Sequence, residues 1–302
     1  MNQETNTTSA PSNKQRKLVL QLVKLVLSAL AVFIAYKMVD AQEMWQTIRK
    51  VDLTLFFSSL ALYIISQLVS SERLRLYMQK FRAGHHVTTL WNARLYFIGM
   101  AYNLFLPGGV GGDAYKVLLY DSRLKAGKSK ILSGVIIDRV VGLLAILIGL
   151  SAIAWVFPSA FNQWYGKLWF IPTIVAIYMV HRIVALEYKR FTAAVFPALF
   201  MSLIVQGLQI GSFLLLASAS GMLHYAFPVA GAFLISSMAT AIPVFLGGIG
   251  AREVVFASLA GYLAFNATEA VSASLLFSMI TIISSIPGLA LVWIGDDQKK
   301  RA

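Results

Sequence analysis

Apolar stretches recur along the chain with too few polar interruptions for either side of them to face water. The runs near 18–39, 53–71, 131–156, 167–184, 193–219 and 270–294 each reach the roughly 20 residues that a helix needs to span a bilayer. Residues 191–251 contain no Asp, Glu, Lys or Arg, and 140–166 are equally free of charge. Helices are the predicted form, because a helix satisfies its own backbone in lipid, whereas a barrel strand alternates apolar and polar positions. Two intervals, 91–120 and 228–265, fit neither a clean crossing nor a loop. Each holds a glycine-rich break: "FLPGGVGGDAYKV" at 105–117 and "FLGGIGAREVVF" at 245–256.

Composition agrees with the pattern. With 58% hydrophobic residues, 13% charged residues and a mean hydropathy of +0.71, the 302-residue chain lacks the polar surface of a soluble globule. The net charge of +13 does not point to nucleic acid, since the basic residues fall in short segments between apolar runs. Twenty of the twenty-six Lys and Arg residues cluster at the N-terminus, in 72–94, in 116–130, in 182–190 and at the C-terminus. The positive-inside rule places these clusters, and with them both termini, on the cytoplasmic side of a cell inner membrane. The segment between the second and third clusters then starts and ends on one side. A re-entrant hairpin that turns at the glycine break satisfies this, and such backbone is tolerated only where it is buried in protein or lines a wet cavity.

The two glycine motifs align with one gap, which sets Asp113 opposite Arg252. The expected fold is an all-α polytopic membrane protein: an inverted-topology repeat with about six full crossings plus two re-entrant helical hairpins. Its parts are a polar tail (1–17), a first membrane repeat (18–156), a second (157–296) and a basic C-terminal tail (297–302). Helical arms that begin near Gly111 and Gly250 would aim their N-terminal dipole ends at a central cavity, a geometry that suits anions.

These motifs resemble those of the membrane region of lysylphosphatidylglycerol synthases and of stand-alone flippase-like relatives. The resemblance rests on "NLFLPGGVGGDAYKV" (Asn103–Val117), "DRVVGL" (Asp138–Leu143), "ERLRLY" after the second helix, and "PVFLGGIGAREVV" (Pro243–Val255). The soluble aminoacyl-transferase domain of the synthases has no counterpart in these residues, so the resemblance implies lipid translocation and not lysine transfer.

Candidate substrate-binding residues follow from both lines: Asn103, Pro107, Gly108, Gly109, Gly111, Gly112, Asp113 and Lys116 in the first hairpin, and Asp138 and Arg139 at the start of the next crossing. Gly247, Gly248, Gly250, Arg252 and Glu253 in the second hairpin complete the set. Ionisable residues inside a membrane are costly unless paired or wet. Two readings stand side by side. In one, Asp113 and Arg252 lock the hairpins together and Asp138 and Arg139 anchor a helix. In the other, Arg252 and Lys116 meet a lipid phosphate while the carboxylates meet a cationic group or a coupling ion. The glycine pattern 109–114 lacks the βαβ setting of a dinucleotide site, "AGKSK" lacks a P-loop's first glycine, and the four histidines flank no carboxylate cluster. No catalytic nucleophile, metal site or cofactor is expected. The expected partner is a membrane lipid with its phospholipid headgroup, with homo-oligomerisation left open. The alternative is a membrane enzyme, or a subunit of one, that modifies a lipid-linked substrate through Asp113 or Glu253.

Overall fold

Polar residues decide where the apolar runs become helices. Asp52 is an N-cap: its Oδ1 accepts the Thr54 backbone N–H at 2.7 Å, and this bond holds the exposed carboxylate below its ordinary pKa range. A computed structural model describes residue 33 and residues 41–81, 87–105, 111–157, 168–241 and 250–300, with only the helix path given for 293–300. Among these residues the regular structure is helical. In chain order the helices are α1 (Ala41–Arg49), α2 (Leu53–Met78), α3 (Thr89–Phe105), α4 (Gly111–Leu124), α5 (Lys128–Val156) and α6 (Phe170–Glu187). They continue with α7 (Thr192–Ser218), α8 (Ala226–Ala241), α9 (Ala251–Leu263) and α10 (Ala267–Lys300). Short 3₁₀ turns at Lys189–Phe191 and Met222–Tyr225 lead into α7 and α8.

Among the described residues, six helical segments are long and apolar enough to cross a membrane: Leu53–Met78, Lys128–Val156, Phe170–Glu187, Lys189–Ser218, Met222–Ala241 and Ala267–Val292. Their outward surfaces carry Ile171, Ile174, Phe196 and Phe200, all exposed, a pattern that lipid tolerates and water does not. The protein is a multi-pass, all-α membrane protein. Three details differ from the expectation. The second crossing runs on to Met78, which puts Arg73 and Arg75 inside a helix and not in a basic loop. Met222–Ala241, expected as a hairpin arm, is by itself long enough to cross. Helix α1 was not expected; in it Arg49 stacks over Trp45 at 4.9 Å. The polar tail 1–17 and the crossing 18–39 fall outside the described residues, apart from Phe33.

Helices α2 and α7 form the central contact. Ser59 pairs with Ser212 and Arg73 with Ser202, so the two helices run antiparallel. Small side chains let their backbones approach, as helices packing within lipid require. Two apolar clusters lie at opposite ends of α2. One gathers Leu74, Tyr77, Met78, Tyr120, Ile131 and Phe191; the other gathers Phe213, Phe233, Phe256 and Phe277, with Tyr63 against them. Phe213 and Phe256 stack with ring centres 4.8 Å apart.

Helices α3 and α4 lie side by side, as do α8 and α9, and each pair is closed by a helix from the other half of the chain. Helix α3 packs on α10, where a Cβ at Gly288 would run into the Phe97 carbonyl. Helix α8 packs on α5, where Leu234 covers Gly149. Between α3 and α4 the approach is equally tight: a Cβ at Gly112 would overlap the Gly99 carbonyl. Only glycine permits these backbone contacts.

Candidate functional site

The tight α3–α4 contact turns the first turn of α4 inward. Asn103, near the end of α3, accepts the Gly112 N–H on its Oδ1 at 2.8 Å and so ties down one free donor at the α4 N-terminus. Asp113 follows, buried at 7% exposure, and its Oδ2 takes the Nε and Nη2 hydrogens of Arg139 from α5. One turn on, Lys116 lies with its ammonium 3.5 Å from Asp113 Oδ1 and 3.8 Å from the centre of the Tyr96 ring. Its aliphatic stem crosses Gly99, where a Cβ would collide with Lys116 Cε.

A second ion pair stands behind the first. Arg73 of α2 donates to both oxygens of Asp138, Nε to Oδ1 at 2.7 Å and Nη2 to Oδ2 at 2.9 Å, and its Nη1 donates to Ser202 Oγ at 2.9 Å. Ser202 passes its own hydrogen to the Ala198 carbonyl at 2.7 Å. This chain rivets α2, α5 and α7 together, with all three guanidinium nitrogens engaged. Helix α3 is held to the same frame by Asn92, whose amide donates to the Ser71 carbonyl at 2.6 Å and whose Oδ1 accepts the Tyr120 hydroxyl.

These side chains enclose a cavity of about 290 Å³. Asn103, Asp113, Lys116, Asp138 and Arg139 line it, together with Arg73, Tyr63, Tyr96, Thr281 and Ser285. Five of the sequence-predicted residues therefore meet in one place, and Gly112 stands next to them at the helix contact. Arg73 was missed as a site residue because it read as part of a basic loop. The signal was present in Ser59, Ser66, Ser70 and Arg73, polar positions that share one face of an apolar helix.

The second glycine motif contributes differently. Neither Arg252 nor Glu253 lines this cavity. The Glu253 carboxylate, 1% exposed, accepts the Gly250 N–H at 2.8 Å and the hydroxyls of Ser274 and Ser278 at 3.0 Å each, so it caps α9 and fastens it to α10. Gly250 precedes the helix at φ +87°, the backbone region expected of a glycine there. The Arg252 guanidinium sits 4.8 Å from the centres of both the Phe233 and Phe277 rings and donates to Ser236 Oγ at 3.3 Å. The Asp113–Arg252 pair expected from the aligned motifs is replaced by Asp113–Arg139. The reason is packing: α4 lies on α5, while α9 lies on α8 and α10. Pro107, Gly108, Gly109, Gly247 and Gly248 fall outside the described residues, and Gly111 opens α4.

A family model described as the lysylphosphatidylglycerol synthase TM region matches residues 21–288. The chain belongs to this family. Every residue that lines the cavity described above lies inside the matched range, from Tyr63 to Ser285. No match was found among curated proteins or solved structures. Membership makes this a membrane protein related to lipid handling.

Proposed function

We infer that the protein is a lipid translocator, in which a phospholipid or lipid-linked headgroup enters the charged cavity while its acyl chains stay in the bilayer. The observation that carries this reading is the cavity itself: five ionisable side chains, Arg73, Asp113, Lys116, Asp138 and Arg139, gathered among helices whose outer faces are apolar. A charged group buried at membrane depth is costly and marks a substrate or ion path by default. At about 290 Å³ the space matches the lower end of small-molecule pockets, room for a headgroup and not for a whole lipid.

An inverted repeat supplies the means of alternating access. Support comes from the reciprocal bonds between Ser59 and Ser212, and from the exchange in which α10 closes α3 while α5 closes α8. In this reading α3–α4 and α8–α9 are re-entrant hairpins, the termini are cytoplasmic, and the host is the cell inner membrane. An ion gradient, or the lipid's own gradient, drives movement. The alternative of a lipid-modifying enzyme draws no support from the carboxylates, since Asp113 and Asp138 are held in ion pairs and Glu253 in a helix cap.

Reconstitution tests the reading. Vesicles holding the purified chain and a panel of headgroup-labelled lipids should lose their inner-leaflet protection from a membrane-impermeant quencher faster than protein-free vesicles. Equal rates with and without protein, for every lipid of the panel, would remove translocation as the function.

A further inference from the structure

The charge balance of the cavity narrows the headgroup it can take. Asp138 has a nitrogen of Arg73 on each oxygen, and Asp113 has Arg139 on Oδ2 and Lys116 facing Oδ1. Each carboxylate that lines the cavity is thus already paired with a cation of the protein. Just beyond, Glu72 and Arg75 neutralise each other through a 2.6 Å bond. Within the cavity three cations, Arg73, Lys116 and Arg139, face two carboxylates, which leaves one net positive charge.

Geometry places the unmet demand at Lys116. Arg73 spends its guanidinium on Asp138 and Ser202. Lys116 is 5% exposed, and its ammonium has an ion-pair contact at 3.5 Å and an aromatic face at 3.8 Å, but no hydrogen bond to any described residue. An ammonium carries three N–H donors, and at the cavity wall these have no acceptor from a described residue. An oxyanion at this point would supply the acceptors and cancel the surplus charge. A cationic headgroup would have to displace Arg73, Arg139 or Lys116 from its carboxylate and would add a second positive charge.

Resting on the translocator reading, we propose that the cavity is selective for an anionic phosphate headgroup without an amine, with Lys116 as its phosphate anchor and selectivity residue. Asp113 then serves as the counter-ion of Lys116 when the cavity is empty, and the Tyr96 ring holds the ammonium in place. The chemistry recognised is a phosphate oxyanion with a neutral remainder. Its source is a lipid, because the cavity is walled by helices whose outer faces meet the bilayer.

Binding measured apart from transport decides the matter. The full chain in detergent is titrated with dihexanoyl phosphatidylglycerol, its lysyl ester, dihexanoyl phosphatidylethanolamine and inorganic phosphate. Phosphatidylglycerol should bind about tenfold or more tighter than the lysyl ester or phosphatidylethanolamine, because each of these brings an ammonium into a cavity that already carries surplus positive charge. Lys116→Gln should erase that preference and Lys116→Arg should keep it. Equal or tighter binding of the lysyl ester by the unmodified chain overturns the proposal without any variant, so a Lys116→Gln protein that fails to fold does not shelter it. A preference that survives Lys116→Gln overturns the role of Lys116, and inorganic phosphate binding as tightly as the lipid assigns the site to a free ion. Selective binding without movement of any lipid in vesicles would sink translocation and leave the selectivity standing; movement of all headgroups at one rate, with no binding preference, would sink the selectivity alone.

Discussion

Ser59 and Ser212 hold each other symmetrically. Each hydroxyl donates to the other's backbone carbonyl, at 2.7 and 2.8 Å, and the two oxygens lie 2.8 Å apart at the crossing of α2 and α7. Atoms this close leave room for a disulfide between the same positions. In a chain without cysteine, the double variant Ser59→Cys with Ser212→Cys should cross-link almost completely under mild oxidation, read as a gel-mobility shift that reductant reverses. Ser59→Cys paired with a cysteine at Ser218, more than a helical turn away, should not.

The Arg73–Asp138 pair joins three helices, so removing one partner leaves a buried charge with nothing to meet it. Arg73→Ala or Asp138→Ala should each lower stability by about 3–5 kcal/mol, whereas replacing both by leucine should come much closer to the parent. Thermal unfolding in detergent, monitored by tryptophan fluorescence, reads this directly. Equal losses in the single and double variants would mean that the pair carries no mutual dependence.

Asp113 meets Arg139 and not Arg252, which separates two charge swaps. Asp113→Asn should abolish lipid movement while the protein still inserts, because Lys116 and Arg139 then repel without a counter-ion. Adding Arg139→Asp to Asp113→Arg should recover folded yield that Asp113→Arg alone loses. Combining Asp113→Arg with Arg252→Asp should recover none, and recovery there would restore the pairing that the aligned motifs suggested.

Glycines divide by what a methyl group would meet. Gly112→Ala and Gly288→Ala push a Cβ into a backbone carbonyl and should cost about 1–3 kcal/mol each, as overpacking does. Gly250→Ala should cost about 1–2 kcal/mol for its left-handed backbone. Gly207→Ala and Gly261→Ala meet open space within helices and should be neutral or stabilising by up to about 1 kcal/mol. Melting temperatures of the five variants give the ranking.

Orientation has its own test. Single cysteines at Ser122 and Ser129, flanking the α4–α5 turn, should react with an impermeant maleimide from the same side of the membrane as one at Ser12. Labelling of the first two from outside and not the third would falsify the hairpin.

Membership of the membrane class was legible from the apolar runs, because in lipid the length of a run and the absence of charge set the crossing almost alone. The cavity was half legible. Asn103, Asp113 and Lys116 sit beside a glycine motif that few ordinary helices carry, and Asp138 and Arg139 are charges inside an apolar run. Arg73 escaped because a positive charge near a helix end looks the same in sequence whether it snorkels to water or turns inward to a carboxylate 65 residues away. Arg252 meets Ser236, Phe233 and Phe277 and not Asp113 for a related reason: matched motifs indicate corresponding positions, but a side chain's partner depends on which helix lies against it. Ser212 carried no signal, since isolated serines are common in membrane helices.

The contact of Gly288 with the Phe97 carbonyl has a consequence for biosynthesis. Helix α3 emerges early from the ribosome, yet the helix that closes it follows much later in the chain. Between Phe97 and Gly288 roughly 190 residues must be added, which at about 5–20 residues per second takes on the order of 10–40 s. For that interval Asp113, Lys116 and Arg139 lack the wall that Thr281 and Ser285 provide. A chain stopped after α9 keeps all five cavity charges and lacks the helix that covers them. Loss of α10 would therefore leave those charges open on the side that Thr281 and Ser285 line in the complete bundle.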